Sequence, residues 1–283
     1  MVAVRTAIMA VDSLPELGLG TYDITDYEVC AESVETALEV GYRHVDTAEG
    51  YENEAAVGEG IAAADVDREA VFLATKVSPD NLARDDVLEH ARASAGRLGV
   101  ETLDLLYVHW PIGAYDPGET LAALDELYDE GLVRHVGLSN FLPEQLDEAL
   151  ERLEAPLFAH QVECHPLFQQ DELRAHAREH GYHLVAYSPL AKGEVTEVPE
   201  LRAVAEKRDA TPAQVSLAWL LDKPSVSAIP KSATPTHVRE NYGALDLTLD
   251  AEDVTKIDGI DREERYVDFE AAPWNRNGES SPV

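Results

Sequence analysis

Eight times along this chain a short apolar run ends on a polar residue and is followed by a segment with apolar residues three and four apart. The runs are 14–24, 43–46, 71–76, 103–109, 133–140, 158–163, 183–188 and 225–232. Each is short and mostly apolar without alternation, which suits strands buried on both faces of a parallel sheet. The segments between them, such as "NEAAVGEGIAAA" (53–64) and "DELRAHAREHG" (171–181), carry helical periodicity. Thr211-Pro212 and Thr234-Pro235 are set to open helices as cap plus first-turn proline, and Gly99, Gly131 and Gly181 to close them. After the seventh run a loop leads to "TPAQVSLAWLLD" (211–222). Eight uninterrupted strand–helix units predict an α/β protein of the (β/α)8 TIM-barrel type, a single domain over 1–283. "VAVRTAIMAV" (2–11) is expected as an N-terminal β-hairpin, "AEDVTKIDGI" (251–260) as an extra C-terminal helix, and 267–283 as a tail. A doubly wound sheet is the competing fold, but no glycine fingerprint for a dinucleotide follows the first strand.

In such a barrel the C-terminal ends of the strands build the active site. Here those ends are Thr21-Tyr22, Asp46, Lys76, His109, Ser139-Asn140, Gln161 to Glu163, Tyr187-Ser188 and Lys231-Ser232. A lone charge is costly inside a barrel mouth, and Asp46 and Lys76 on successive strands solve this by pairing. Tyr51 follows Asp46 closely enough to reach the same pocket. A lysine ammonium beside the phenol is expected to lower its pKa toward neutrality, with Asp46 holding the lysine charged. His109 can hydrogen-bond a substrate oxygen. Such a group suits protonation of the oxyanion that develops when a carbonyl accepts hydride.

Other readings compete at each position. The Asp46–Lys76 pair alone could merely stabilise a barrel, and His109 alone could be a core histidine. A Schiff-base lysine would have to be neutral, which Asp46 opposes. His160, Cys164 and His165 lack a full ligand spacing, so no metal is assigned.

Charge bounds the partners. Asp and Glu number 55 against 22 Lys and Arg, a net charge of -33. Such a surface repels nucleic acid and anionic lipid. The acids are spread along the whole chain, so either a basic partner binds them or the protein works in molar salt, where the Debye length falls to about 3 Å. The second is the preferred reading of this acidic, halophilic-type surface: the melting temperature should rise with KCl, and a flat response would reject it. Two cysteines, Cys30 and Cys164, give no disulfide framework. Met1 to Ala10 lacks a signal-peptide apolar core and no eighteen-residue apolar run occurs, so a soluble cytoplasmic protein is expected.

"GYRHVDTAEGYENE", "VFLATK", "YVHWP", "VGLSNF", "QVECHP", "AYSPLAKG" and "IPKSATPTHVRENYGALD" together resemble the aldo-keto reductase family. The likeness runs from about Leu17 to about Asp261 and is nearest to the prokaryotic diketogluconate-reductase-like enzymes, which reduce small aldehydes and keto sugars. The resemblance implies an oxidoreductase acting on CH–OH groups, with a catalytic tetrad of Asp46, Tyr51, Lys76 and His109. It implies a nicotinamide ring on Tyr187, its carboxamide at Ser139, Asn140 and Gln161, and the pyrophosphate by Ser188 and Leu190. Thr21 belongs to the cofactor side, and the adenosine end would meet Lys231, Ser232, His237, Arg239 and Asn241. A monomer is the family default. Some members are cofactor-sensing subunits of membrane channels, the alternative to a turning-over enzyme.

The chain departs from the family at three places. His237 stands where most relatives carry an arginine that stacks on adenine and helps hold the 2′-phosphate. Neutral histidine gives no fixed charge. Lys231 and Arg239 keep NADP(H) the expected cofactor, with NAD(H) also open. Ser78 stands where relatives often have tryptophan, and the loop 111–119 is short. Both imply a more open, polar substrate pocket, with Tyr22, Trp110 and Trp274 as its apolar walls.

Overall fold

The computed structural model describes residues 13–275. The expected N-terminal hairpin and the end of the tail lie outside them. Eight parallel strands follow one another around the sheet in chain order: β1 (Leu19–Gly20), β2 (His44–Asp46), β3 (Phe72–Val77), β4 (Leu103–Val108), β5 (Val133–Ser139), β6 (Leu157–Glu163), β7 (His183–Tyr187) and β8 (Val226–Ala228). The sheet closes on itself. Gly18 N–H donates to the Ala228 carbonyl (2.9 Å), Gly20 N–H to that of Pro230 (3.1 Å), and Ala228 N–H to that of Glu16 (2.8 Å). The expected eighth strand is shortened because Pro230 cannot donate to a ladder, yet the chain stays paired through a parallel bridge from Gly20 to Lys231. Gly20 is required at this seam, since a Cβ there would lie 2.7 Å from the Ile229 carbonyl oxygen.

Helices alternate with the strands: α1 (Tyr27–Val40), α2 (Glu54–Ala63), α3 (Arg84–Leu98), α4 (Pro117–Asp129), α5 (Pro143–Arg152), α6 (Asp171–His180), α7 (Pro199–Arg208), α8 (Pro212–Leu221), α9 (Pro235–Tyr242) and α10 (Ala251–Asp258). The expected extra C-terminal helix is α10. Helix α7 corrects the loop expected after β7. Only Leu201, Val204 and Ala205 of this charged stretch are buried, a narrow stripe at helical spacing. Thr211 caps α8 as expected, accepting from Gln214 N–H while the Gln214 side chain returns the bond. Thr234 stands at the cap position of α9 but makes no capping bond. Ser232 Oγ instead bonds the Thr234 backbone.

The barrel interior explains where the chemistry can sit. Inward residues recur with period two along a strand. A cluster of Phe72, Ala74, Leu105, Tyr107, Ala159, Val185 and Ile229 fills the middle of the barrel. One further step of two from Ala74, Tyr107, Ala159 and Val185 gives Lys76, His109, Gln161 and Tyr187. The polar groups are therefore the top layer of a packed stack. Two residues below Asp46, His44 is fully buried, and among the described residues neither ring nitrogen has a hydrogen-bond partner. Gly18 makes room for it, because a Cβ there would lie 2.5 Å from His44 Nδ1.

Candidate active site

The Asp46 and Lys76 side chains meet at the ends of β2 and β3. Lys76 Nζ donates to Asp46 Oδ1 at 2.5 Å and to the Thr47 carbonyl at 2.8 Å. Both side chains are almost fully buried. Gln161 Nε2 donates to the second Asp46 oxygen at 2.7 Å. Burial pulls the Lys76 pKa down, and the Asp46 charge and hydrogen bond oppose that pull. The lysine is thus held as the partner of one carboxylate, itself fixed from both oxygens.

Tyr51 ends a short 3-10 turn, Glu49–Tyr51, that follows β2. Its ring centroid lies 5.1 Å from Lys76 Nζ and 5.6 Å from the His109 ring, which it meets edge-on. Tyr22, exposed at the end of β1, meets its other side at 5.3 Å. The expected lowering of the Tyr51 pKa is not what this environment gives. Burial is the largest influence, followed by the nearby Asp46 charge, and together they hold the phenol well above its ordinary value. Tyr51 therefore keeps its proton at neutral pH.

Glu49, which sequence reasoning did not single out, fixes this turn. It accepts from Ser78 N–H (2.6 Å), from Asn81 Nδ2 (2.8 Å) and, through its other oxygen, pairs with His90 Nδ1 (2.8 Å). Burial would raise the Glu49 carboxyl, but the hydrogen bonds from Asn81, Ser78 and His90 outweigh it and hold the pKa below the ordinary value. Ser78 accordingly packs beside the Tyr51 turn. Only the first residue of that network, two before Tyr51, is visible in the local sequence.

His109 follows β4. Its backbone N–H donates to the Val77 carbonyl at 3.1 Å, and its carbonyl accepts from Asn140 Nδ2 at 3.0 Å. Burial, then the Lys76 charge, push its pKa well below the ordinary imidazole value, so the ring is neutral. Asn140 adopts a left-handed backbone (φ 64°) and ties two strand ends together. Its Nδ2 also donates to Ser139 Oγ (3.0 Å), and its Oδ1 accepts from Tyr187 O–H (2.9 Å). Ser139 Oγ donates to the Gln161 carbonyl at 2.9 Å. Ser139, Asn140, Gln161 and Tyr187 are thus brought together at the ends of three neighbouring strands.

The remaining cofactor-side residues divide. Thr21 is buried at the seam, its Oγ1 donating to the Asp46 carbonyl at 3.0 Å. Ser188 and Leu190 are half-buried in a loop where Ser188, Ala191, Lys192 and Gly193 all take positive φ (47°, 47°, 53° and 103°). Lys192 Nζ anchors that loop to the Tyr266 carbonyl at 2.7 Å. Ser232 and Asn241 are buried, whereas Lys231, His237 and Arg239 are exposed at the β8 end and on α9. Among the described residues none of these three has an acidic side chain within ion-pair distance.

On the other side of the mouth, Trp110 meets Trp274 at 5.6 Å and Phe269 at 4.8 Å between ring centroids. Phe269 was not foreseen, and its signal was weak: a lone phenylalanine between acids in a polar tail. Arg265 lies over the Trp274 ring at 3.7 Å, and Trp274 Nε1 donates to Asp268 at 2.8 Å. Glu163, buried at the β6 end, holds the start of this tail by accepting from Tyr266 N–H (2.7 Å) and Val267 N–H (2.9 Å). Tyr22 stands apart from the tryptophans, against Tyr51. A cavity of about 620 Å³ borders Asn140, Glu163, Arg265 and Trp274.

The site's chemistry can be placed among known proteins. Residues 16–262 match the model of the Aldo/keto reductase family. The chain is 37% identical over 268 residues to the methylglyoxal reductase DkgB of Escherichia coli O157:H7, covering 93% of this chain and 100% of that protein. It is 38% identical over 252 residues to the glyoxal reductase of Bacillus subtilis (strain 168), covering 89% and 91%. Among solved structures it superimposes on an aldo-keto reductase enzyme from a Medee basin deep-sea metagenome library with a TM-score of 0.86 and 32% identity, covering 92% of this chain and 95% of that one. The aldose reductase from Giardia lamblia gives a TM-score of 0.86 at 30% identity, covering 90% and 95%. With its closed eight-stranded barrel and its polar groups gathered at the strand ends, this chain belongs to the aldo/keto reductase family of oxidoreductases.

Proposed function

We propose that this protein reduces small aldehydes and ketones to alcohols with NAD(P)H, and that Tyr51 is the acid that delivers the proton. The observation that carries the reading is the placement of a protonated Tyr51 between the buried Lys76–Asp46 pair and a neutral His109. The nicotinamide cofactor, when bound, supplies the hydride. The residues present fit such a group. Ser139, Asn140, Gln161 and Tyr187 converge on one side of the mouth, and on α9 and the β8 end three exposed residues of basic type stand free of carboxylates among the described residues, in a chain with a large excess of acid.

The chain's own part in the reaction follows from the geometry. Neutral His109 has an N–H to offer a carbonyl oxygen, which orients it toward Tyr51. As charge develops on that oxygen, the Tyr51 hydroxyl donates to it, and an alkoxide is basic enough to take the proton from a phenol of raised pKa. The Lys76 ammonium stabilises the phenolate left behind, while Asp46 and the Thr47 carbonyl keep the ammonium in place. Trp110, Trp274 and Tyr22 offer apolar contact to the substrate, and Ser78 in place of a bulky ring leaves the entrance open. Named relatives reduce methylglyoxal and glyoxal, and these are the first substrates to try. NADPH consumption with methylglyoxal tests the reading; tight cofactor binding with no turnover on any carbonyl would favour a cofactor-sensing subunit.

NADP(H) is the preferred cofactor in this reading, with NAD(H) open because His237 is exposed and carries no fixed charge. His237→Arg is expected to raise the NADPH/NADH ratio of kcat/KM by about tenfold, the effect of one added charge-assisted contact of about 1.5 kcal/mol. An unchanged ratio refutes the assignment of this position to the 2′-phosphate. The reading also takes the protein as a cytoplasmic monomer. No helix among the described residues is long and apolar enough to cross a membrane.

A further inference from the structure

On the outer face of the barrel, α5 and α6 carry a second constellation that the proposed reaction does not use. His176 and His180 lie one turn apart on α6, with ring centroids 4.3 Å apart and planes 26° from parallel. Asp147 of α5 brings Oδ1 to 3.1 Å from His176 Nε2. One donor atom from each of the three lies within 4.8 Å of the others, and among the described residues this is the one grouping of that kind. We propose that Asp147, His176 and His180 form a binding site for a divalent transition-metal ion of the zinc class, clamping α5 to α6.

Four observations converge on that ion. Two imidazoles and one carboxylate are the donors that zinc, nickel, cobalt and copper take, whereas magnesium and calcium require oxygen ligands. Histidines at i and i+4 present both rings on one helix face, a spacing that zinc sites use. His176 also has the outer support that metal-bound histidines usually have: its Nδ1 lies 2.7 Å from the Tyr182 hydroxyl, which orients the ring with Nε2 toward Asp147. Finally, His180 is the last residue of α6, at the negative end of the helix dipole, on a protein of net charge -33.

The exchange on binding is balanced. Without metal, the 3.1 Å contact between His176 Nε2 and the Asp147 carboxylate is held by a proton on Nε2. The cation takes that proton's place and the neutral ring changes tautomer by exchange with solvent: one proton leaves Nε2, one is taken up at Nδ1, and Nδ1–H then donates to the Tyr182 oxygen. The three protein ligands leave a fourth tetrahedral position for water.

Calorimetric titration of the full chain, stripped with EDTA and dialysed into molar KCl at neutral pH, with zinc chloride tests the site. The expected result is one saturating Zn²⁺ per chain with a micromolar or tighter Kd and a rise in melting temperature. His180→Ala is the diagnostic variant, because His180 is exposed and its loss does not threaten the fold. It should weaken Zn²⁺ binding at least about tenfold, the lower end of what losing one ligand costs by analogy with loss of an outer-sphere partner, and leave zinc-free carbonyl reduction unchanged. Absence of saturable binding, equal affinity in His180→Ala, or Mg²⁺ binding as tight as Zn²⁺ would each overturn the proposal, the last by pointing to diffuse condensation on an acidic surface.

Discussion

Tyr51→Phe is expected to lower carbonyl-reducing turnover by about 10²- to 10⁴-fold, the range supplied by a positioned general acid. The cofactor Kd should stay within about twofold, because none of the residues assigned to the cofactor lies on the Tyr51 turn. The melting temperature should also hold. The Tyr51 hydroxyl has no protein hydrogen-bond partner among the described residues, so removing it strands nothing. The loss should therefore fall on kcat, with cofactor binding and stability as internal controls. Near-normal turnover in Tyr51→Phe would remove the tyrosine from its assigned role and the tetrad with it.

A second large effect lies in acid. Burial pushes the His44 pKa down to about 4, against the opposing pull of Asp46, and the His160 pKa down to about 3, with His176 adding to the depression. Both residues are fully buried. His44 has no partner for either nitrogen among the described residues, while His160 Nε2 accepts from Phe141 N–H at 3.2 Å and would lose that bond on protonation. The unfolded chain titrates these rings near the ordinary value of 6.5. Above that pH both states are neutral and the full stability is present. Below it the unfolded state takes up protons that the folded state refuses, so stability falls with pH until the folded pKa values are passed.

At the acid limit the two sites cost about 3 and about 5 kcal/mol, since each tenfold loss of proton affinity on folding is worth about 1.4 kcal/mol. The total is comparable with the whole stability of a typical domain. His109, pushed the same way by burial and by Lys76, adds to the slope. Carboxylates titrate mainly below about pH 5, so the window from about pH 7 to about pH 5 belongs to the histidines. Urea midpoints should drop across that window, and His160→Gln, which retains an acceptor, should flatten the drop. Midpoints that stay constant across the same window would contradict the account.

The barrel was legible because a buried strand and an amphipathic helix write different periods, and eight repeats leave little freedom in how they are combined. Asp46, Lys76 and His109 were legible for the same reason: each falls where an apolar run stops and the next loop or helix begins. What was not legible depends on contacts between segments distant in the chain. Glu49 looks like any acidic residue until Ser78, Asn81 and His90 are seen to converge on it. The pKa of Tyr51 was read from one neighbour, Lys76, when burial and Asp46 set its direction. Gln161 was read only for a ligand, and the bond from its amide nitrogen to Asp46 joins residues more than a hundred positions apart. His44 passed as strand filler, since a sequence does not reveal which inward residue will find no partner. Helix α7 was passed over because three buried residues among charges leave a faint period.

The seam between the first and last strands has a consequence for the order in which a newly made chain acquires its parts. Neighbouring strands such as β1 and β2 join residues like Leu19 and Val45, whereas the seam joins Leu17 to Ala228. That loop is about three doublings longer, so its closure costs about 2 kcal/mol more in chain entropy. Asp46, Tyr51, Lys76 and His109 all emerge from the ribosome in the first half of synthesis, while Lys231 and α9 arrive near its end. A nascent chain thus holds these four side chains long before it has the far side of the mouth. The closing hydrogen bonds of Gly18, Gly20 and Ala228 then bring the two sides face to face.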